Sequence, residues 1–184
     1  MENLSLNDKS EVKTYTGIPE AYFVNDVNAF MAKPENSAGA DKVLKQLDEQ
    51  HNKYKFMEFN LVTKKRRLRL QIPDLNRSLE MVNLLKQQKE EMDTHFLLSE
   101  QVFVKAKVPP TETVCLWLGA NVMLEYPLDE AEQLLQKSVE TADKNLEQLE
   151  HDLDFLRDQI TTTEVNMARV YNWDVKRRQN NKST

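Results

Sequence analysis

Side chains able to do covalent or metal chemistry are few in this 184-residue chain, and they do not gather. His51, His95 and His151 have no second histidine or cysteine three or four residues away, so no metal site is expected. A lone cysteine, Cys115, excludes an internal disulfide and any thiolate-rich metal centre. It sits in an apolar run and is expected to be a small buried hydrophobe. Gly17, Gly39 and Gly119 are too far apart for either glycine-rich phosphate loop, G-x-x-x-x-G-K-[ST] or G-x-G-x-x-G. No Ser/His/Asp or paired-carboxylate constellation is recognisable. The expectation is a protein that is not an enzyme and carries no cofactor.

Two basic runs raise the question of nucleic acid or nuclear import: Lys64-Lys65-Arg66-Arg67-Leu68-Arg69 and Lys176-Arg177-Arg178. The net charge is −5, and the first run wraps the circumference of a helix, so a solvated or helix-paired face is the expectation and nucleic acid is not. No apolar run approaches the ~18 residues of a spanning helix, and residues 1–16 are mostly polar, unlike a secretory leader. The sequons at Asn3, Asn76 and Asn181 are read as chance matches. A cytoplasmic protein with no membrane partner is expected, with nuclear entry left open by the basic runs.

Such residues need elements to position them, and the pattern is of long helices. The chain has only 3 glycines and 6 prolines, with 30% charged and 40% hydrophobic residues. From Leu135 a seam steps by four and three through Val139, Ala142, Leu146, Leu149, Leu153, Leu156, Ile160, Thr163, Met167 and Val170. All but Thr163 are apolar, a coiled-coil stripe sustained over five heptads. Asp129 with Glu132 makes a capping box just after Pro127, so a helix of about 50 residues should start there.

Leu47, Tyr54, Leu61, Leu68, Leu75, Val82 and Phe96 also fall on a period of seven, broken only at Lys89. They predict an earlier helix over 41–95, bent at Pro73.

Between the helices, Val102–Val108 alternates as a strand, Pro109-Pro110-Thr111 turns, and Val114–Leu118 and Val122–Tyr126 are further strands around Gly119. The domains are then 1–40 (a partly disordered flank), 41–95, the strand region 96–127, and 128–184 with a basic tail.

The two helical patterns are nearly equal in length, so an antiparallel two-helix arm is the economical arrangement. Charge agrees: residues 41–71 carry nine bases and four acids, residues 129–158 ten acids and three bases. A hairpin isolated in water is marginal and its edges are open, so the strands require other chains. The fold class is mostly α with a small β region, a coiled-coil arm joined by β-hairpins that pair between subunits.

Particular strings carry a resemblance: GIPEA at Gly17–Ala21, YKFM at Tyr54–Met57, KKRRL at Lys64–Leu68 and VCLWLGANVMLEY at Val114–Tyr126. To these add DFLRDQ at Asp154–Gln159 and TEVNMARVYNWDVKRR at Thr163–Arg178. Over residues 17–178 the chain resembles the prefoldin family, and within it the eukaryotic α-class, whose members contribute two hairpins rather than one. A fourth strand is therefore expected, either within Phe96–Gln101 or from splitting a long strand at Gly119.

The resemblance implies a heterohexamer of two α-class and four β-class subunits, with strands closed into a β-barrel body and coiled-coil arms hanging from it. It implies an ATP-independent holdase that captures unfolded actin, tubulin and other nascent chains at the arm tips and passes them to the cytosolic chaperonin. A structural coiled-coil adaptor for one folded partner is the alternative.

Candidate residues follow from that plan. The client-binding tip would comprise Ile18, Phe23, Val24, Phe30 and Met31 from the flank with Val170, Tyr171 and Trp173 from the last helix. Aromatic and methionine side chains suit promiscuous capture, though the same aromatics can cap the coiled coil. Lys176, Arg177 and Arg178 would meet the chaperonin. Assembly would rest on Val102, Phe103, Val104, Val108, Val114, Leu116, Trp117, Leu118, Val122 and Leu124.

Overall fold

A computed structural model describes residues 17–181, so the expectation of disorder in residues 1–16 lies outside the described residues. The elements are a short helix α1 (Val27–Met31), a 3₁₀ turn (Pro34–Asn36), α2 (Ala40–Gln87), strands β1 (Met92–Ser99), β2 (Val102–Val108), β3 (Thr113–Gly119) and β4 (Val122–Pro127), and α3 (Leu128–Asn180). The described chain divides into two units, one made of residues up to Thr63 with those from Leu149, the other of Lys64–Gln148.

Both long helices carry charges that complement their dipoles: Asp41 in the first turn of α2 and Lys86 in its last, Asp129 and Glu130 opening α3 and Arg177 and Arg178 closing it. Gly39, at φ 99°, makes the left-handed step into α2, where a side chain would be strained although space is open around it. α2 continues through Pro73, whose missing N–H leaves one carbonyl of the preceding turn without its helical donor.

The expected capping pair is used differently. Asp129 and Glu132 both hold Lys86 Nζ, at 2.6 and 2.5 Å. Hydrogen bonds to Asp129 first and Glu132 second raise the Lys86 pKa above its ordinary value.

α2 ends earlier than the seven-residue period predicts. It stops at Gln87 rather than 95, and Met92 and Phe96 belong to β1. The break falls at the polar run 88–91, where Gln88 Nε2 donates to Val108 O at 2.6 Å and Glu90 O at 2.9 Å and so ties the end of the helix to β2. Lys89, the one exception to the period, marked the end of the helix, and Phe96 kept phase by coincidence. β1 thus supplies the fourth strand from the neighbourhood of Phe96, and β3 and β4 are not halves of one split strand.

There are two antiparallel hairpins among the described residues, β1 with β2 and β3 with β4. Phe96 faces Val104 and Leu97 faces Phe103 in the first; Leu116 faces Leu124 and Trp117 faces Met123 in the second. The second turns through Ala120 and Asn121, both left-handed at φ 48° and 62°, the turn whose twist matches that of antiparallel strands.

Within the Lys64–Gln148 unit, Val82 of α2 packs with Ala131 and Leu135 of α3, and Val114, Leu116 and Tyr126 lay one face of the β3–β4 hairpin on this cluster. In the other unit Tyr54 packs with Leu156 and Ile160, and Val43 with Val170. Within each unit the helices therefore run antiparallel, early residues of α2 beside late residues of α3. Leu153, Leu156 and Val170, three positions of the predicted seam, are 2% exposed or less.

Candidate functional site

Two places expose or engage the residues singled out above. The first is the pair of hairpins. Phe96, Leu97, Leu98, Val102, Phe103 and Val104 are all exposed on β1 and β2, as are Trp117, Leu118, Val122, Met123 and Leu124 on β3 and β4. Val108, Val114 and Leu116 are half-buried. Leu116 and Val114 point to the helices, whereas Cys115 and Trp117 alternate to the outer face. Cys115 is exposed, contrary to the expectation of burial, because nothing among the described residues covers that face.

The second place is the flank. Residues 18–24 form no helix or strand, yet α3 holds their backbone along its length. Gln159 Oε1 accepts from Ala21 N at 2.8 Å, Asn166 accepts from Val24 N at 2.9 Å and donates to Tyr22 O at 2.7 Å, and Arg169 donates to Asn25 O at 2.8 Å. Trp173 Nε1 continues the row to Asn28 Oδ1 at 2.6 Å, and the Tyr54 hydroxyl donates to Pro19 O at 2.9 Å.

The seven steps along α3 from Gln159 to Asn166 rise about 10.5 Å. The three steps from Ala21 to Val24 cover about 10 Å only when the backbone is almost fully extended. The flank is therefore an extended strap running parallel to α3.

The strap sorts the tip candidates. Val24, Met31 and Val170 are buried, while Ile18, Phe30 and Trp173 are half-buried, Ile18 against the Tyr54 cluster and the other two against the Val170 cluster. Phe23 and Tyr171 remain exposed, Phe23 beneath the Arg169 guanidinium at 5.4 Å. Tyr171 lines an apolar groove of about 500 Å3 with Leu44, Met167 and Ala168. Phe30 and Trp173 thus help to cap the helix pair, and Phe23 and Tyr171 are the aromatics left to solvent.

Comparison with known proteins identifies the chain. A family model described as "Prefoldin subunit" matches residues 54–173. The chain belongs to the prefoldin family. It is 64% identical over 167 residues to "Prefoldin subunit 3" of Drosophila melanogaster, covering 91% of this chain and 86% of that one. It is 61% identical to "Prefoldin subunit 3" of Homo sapiens, with 94% and 88% covered, and 38% identical to that of Saccharomyces cerevisiae, with 92% and 90% covered. A solved structure titled "Cryo-EM structure of filamentous PFD from Methanocaldococcus jannaschii" shares the fold at 22% identity and a TM-score of 0.50, over 62% of this chain and 94% of that one. Prefoldins are chaperones rather than enzymes, and this chain is a prefoldin chaperone subunit.

In this prefoldin chain the three basic residues near the C-terminal end of α3 differ from one another. Asp174, buried, takes Arg177 at 3.1 Å and Arg178 at 2.6 Å; Arg178 also reaches Asp41 at 3.2 Å, and Arg177 lies over the Trp173 ring at 5.2 Å. Lys176 is exposed and lines a cleft of about 560 Å3 with Asn28, Arg169, Asn172 and Trp173. No helix among the described residues is long and apolar enough to cross a membrane.

Sequence reasoning missed Gln159, Asn166 and Arg169 because they are polar and lie beside the seam. A signal was present. Gln159, Asn166 and Trp173 themselves repeat every seven residues, a second stripe made of hydrogen-bonding groups instead of hydrocarbon.

Proposed function

We propose that this chain is one of two α-class subunits in a prefoldin heterohexamer with four β-class chains, and that the hexamer is an ATP-independent holdase of the cytoplasm. The observation that carries the assembly is the exposure of the hairpins. Each two-stranded sheet consists wholly of edge strands, with Phe103 and Trp117 uncovered, a state that pairing with strands of other subunits into a barrel would relieve. Captured clients are unfolded polypeptides, actin and tubulin among them, taken up at the ends of the arms through apolar side chains such as Phe23 and Tyr171. They are then passed to the cytosolic chaperonin through the basic end of α3, with Lys176 the most available of its three cations.

The test is suppression of light scattering by the reconstituted hexamer mixed with a chemically denatured client. Full suppression without ATP is expected, and a drop is expected when Phe23 and Tyr171 are both replaced by Ser in an intact hexamer. Unchanged suppression by that variant would remove these aromatics from the client site.

A second reading, a structural adaptor for one folded partner, is favoured by a specific observation: Phe30 and Trp173 are engaged within the chain. It predicts no suppression and stoichiometric binding to a native protein.

A further inference from the structure

We propose that the α3 face carrying Gln159, Asn166 and Arg169 is a sequence-independent binding site for an extended polypeptide segment, and that residues 18–25 occupy it as a built-in stand-in. The inference rests on the holdase reading and names how a captured chain is held.

The first argument is what the strap offers to α3. The hydrogen bonds of Gln159, Asn166 and Arg169 to the strap go only to its main chain: Ala21 N, Tyr22 O, Val24 N and Asn25 O. Every polypeptide carries these groups, proline's missing N–H excepted. Asn166 satisfies a carbonyl and the N–H two residues on with one amide, as a neighbouring strand would in sheet-type peptide recognition. Side-chain demand on the segment is small. Val24 is enclosed, Ile18 and Ala21 rest on the Tyr54 cluster, and one face of Phe23 lies under Arg169. Tyr22 faces solvent, and none of these side chains takes a hydrogen bond from the three α3 residues.

The second argument is what lies under the strap. A permanent cap is best built on hydrocarbon, as Leu156 and Val170 are. Here Gln159 and Asn166 are 7% and 2% exposed, and water can take over their hydrogen bonds when the strap leaves, so opening leaves no buried polar group unsatisfied. Arg169 Nε is also buried with no acceptor, one donor more than the chain's own segment uses. The stand-in competes with clients as an intramolecular ligand, so the apparent affinity for a client is reduced by the fraction of sites it leaves open.

The test uses the assembled complex and a fluorescein-labelled synthetic peptide copying residues 17–28, read by anisotropy. Val24→Asp, which weakens the strap and not the groove, should tighten peptide binding about tenfold or more by raising the open fraction. Adding Asn166→Leu should abolish that gain. A peptide N-methylated at Ala21 and Val24 should lose the tight binding, because only two backbone donors have been removed. No gain from Val24→Asp, or equal binding of the methylated peptide, would overturn the proposal.

If Val24→Asp prevents assembly, Ala21→Pro removes one strap donor and carries the same expectation. Light scattering with a denatured client separates the two readings. Suppression without peptide binding in the strap variants sinks the groove and spares the holdase; peptide binding without suppression does the reverse.

Discussion

The strap of residues 18–25 and the two hairpins are both non-helical pieces of a mostly helical chain, and they handle their backbones in opposite ways. The strap makes no ladder of its own and borrows partners from α3, so Val24 is buried and its N–H is satisfied within the chain. The hairpins satisfy half of their backbone groups between β1 and β2 or β3 and β4, and leave outer edges and apolar faces uncovered. A segment that finds its partners within the chain reports on that chain's own stability. One that does not reports on what the chain assembles with.

That contrast can be broken by substitution. The largest effect is expected at the hairpins: Phe103→Asp with Trp117→Asp should abolish entry into the hexamer, seen by native mass spectrometry, while the thermal unfolding of the isolated chain changes little. Loss of helical structure in that variant would mean the exposed faces also support the fold. Leu118→Asp is cleaner than Leu116→Asp here, because Leu116 contributes to the helix-backed cluster.

Next comes the seam beneath the strap. Leu156→Ala should cost about 2–5 kcal/mol in urea denaturation, as deletion of a fully buried leucine does, and should leave hairpin pairing intact. Asn166→Ala strips the buried Val24 N–H and the part-buried Tyr22 carbonyl of their partner, for about 1–3 kcal/mol. Faster proteolysis at residues 18–25 should report it, and an unchanged cleavage rate there would mean the strap is held by its side chains alone.

The smallest effect is at Lys86. Its pKa is raised by Asp129 and Glu132, so its contribution is fully present below the unfolded value of 10.5 and is lost as pH rises through the folded value. Lys86→Met should lower the neutral melting temperature slightly, and a pH series should show that difference from the parent closing as pH rises through the folded value.

Much of the fold was legible because burial is written as periodicity. The run from Leu135 to Val170 predicted α3, and the alternation at Val102–Val108 predicted β2 to the residue. The end of α2 was not legible from period alone, since a strand residue such as Phe96 can fall in phase with a heptad. Of the candidate site, the apolar residues were visible and their division was not. Nothing in the types Phe23, Phe30, Tyr171 and Trp173 says that the second and fourth turn inward, because that depends on which residues of the flank α3 can reach.

The amino-acid order alone determined the long helices, the strand segments between them, the absence of a phosphate loop, and the family. These depend on local spacing and local chemistry. Tertiary structure decided that Gln159, Asn166 and Arg169 hold a strap far away in sequence, that Arg178 reaches Asp41, and that Cys115 faces outward. Each depends on which groups meet across the fold. The seven-residue repeat of Gln159, Asn166 and Trp173 marks a polar stripe in the sequence, but a hydrogen bond across more than a hundred positions does not name its far partner there.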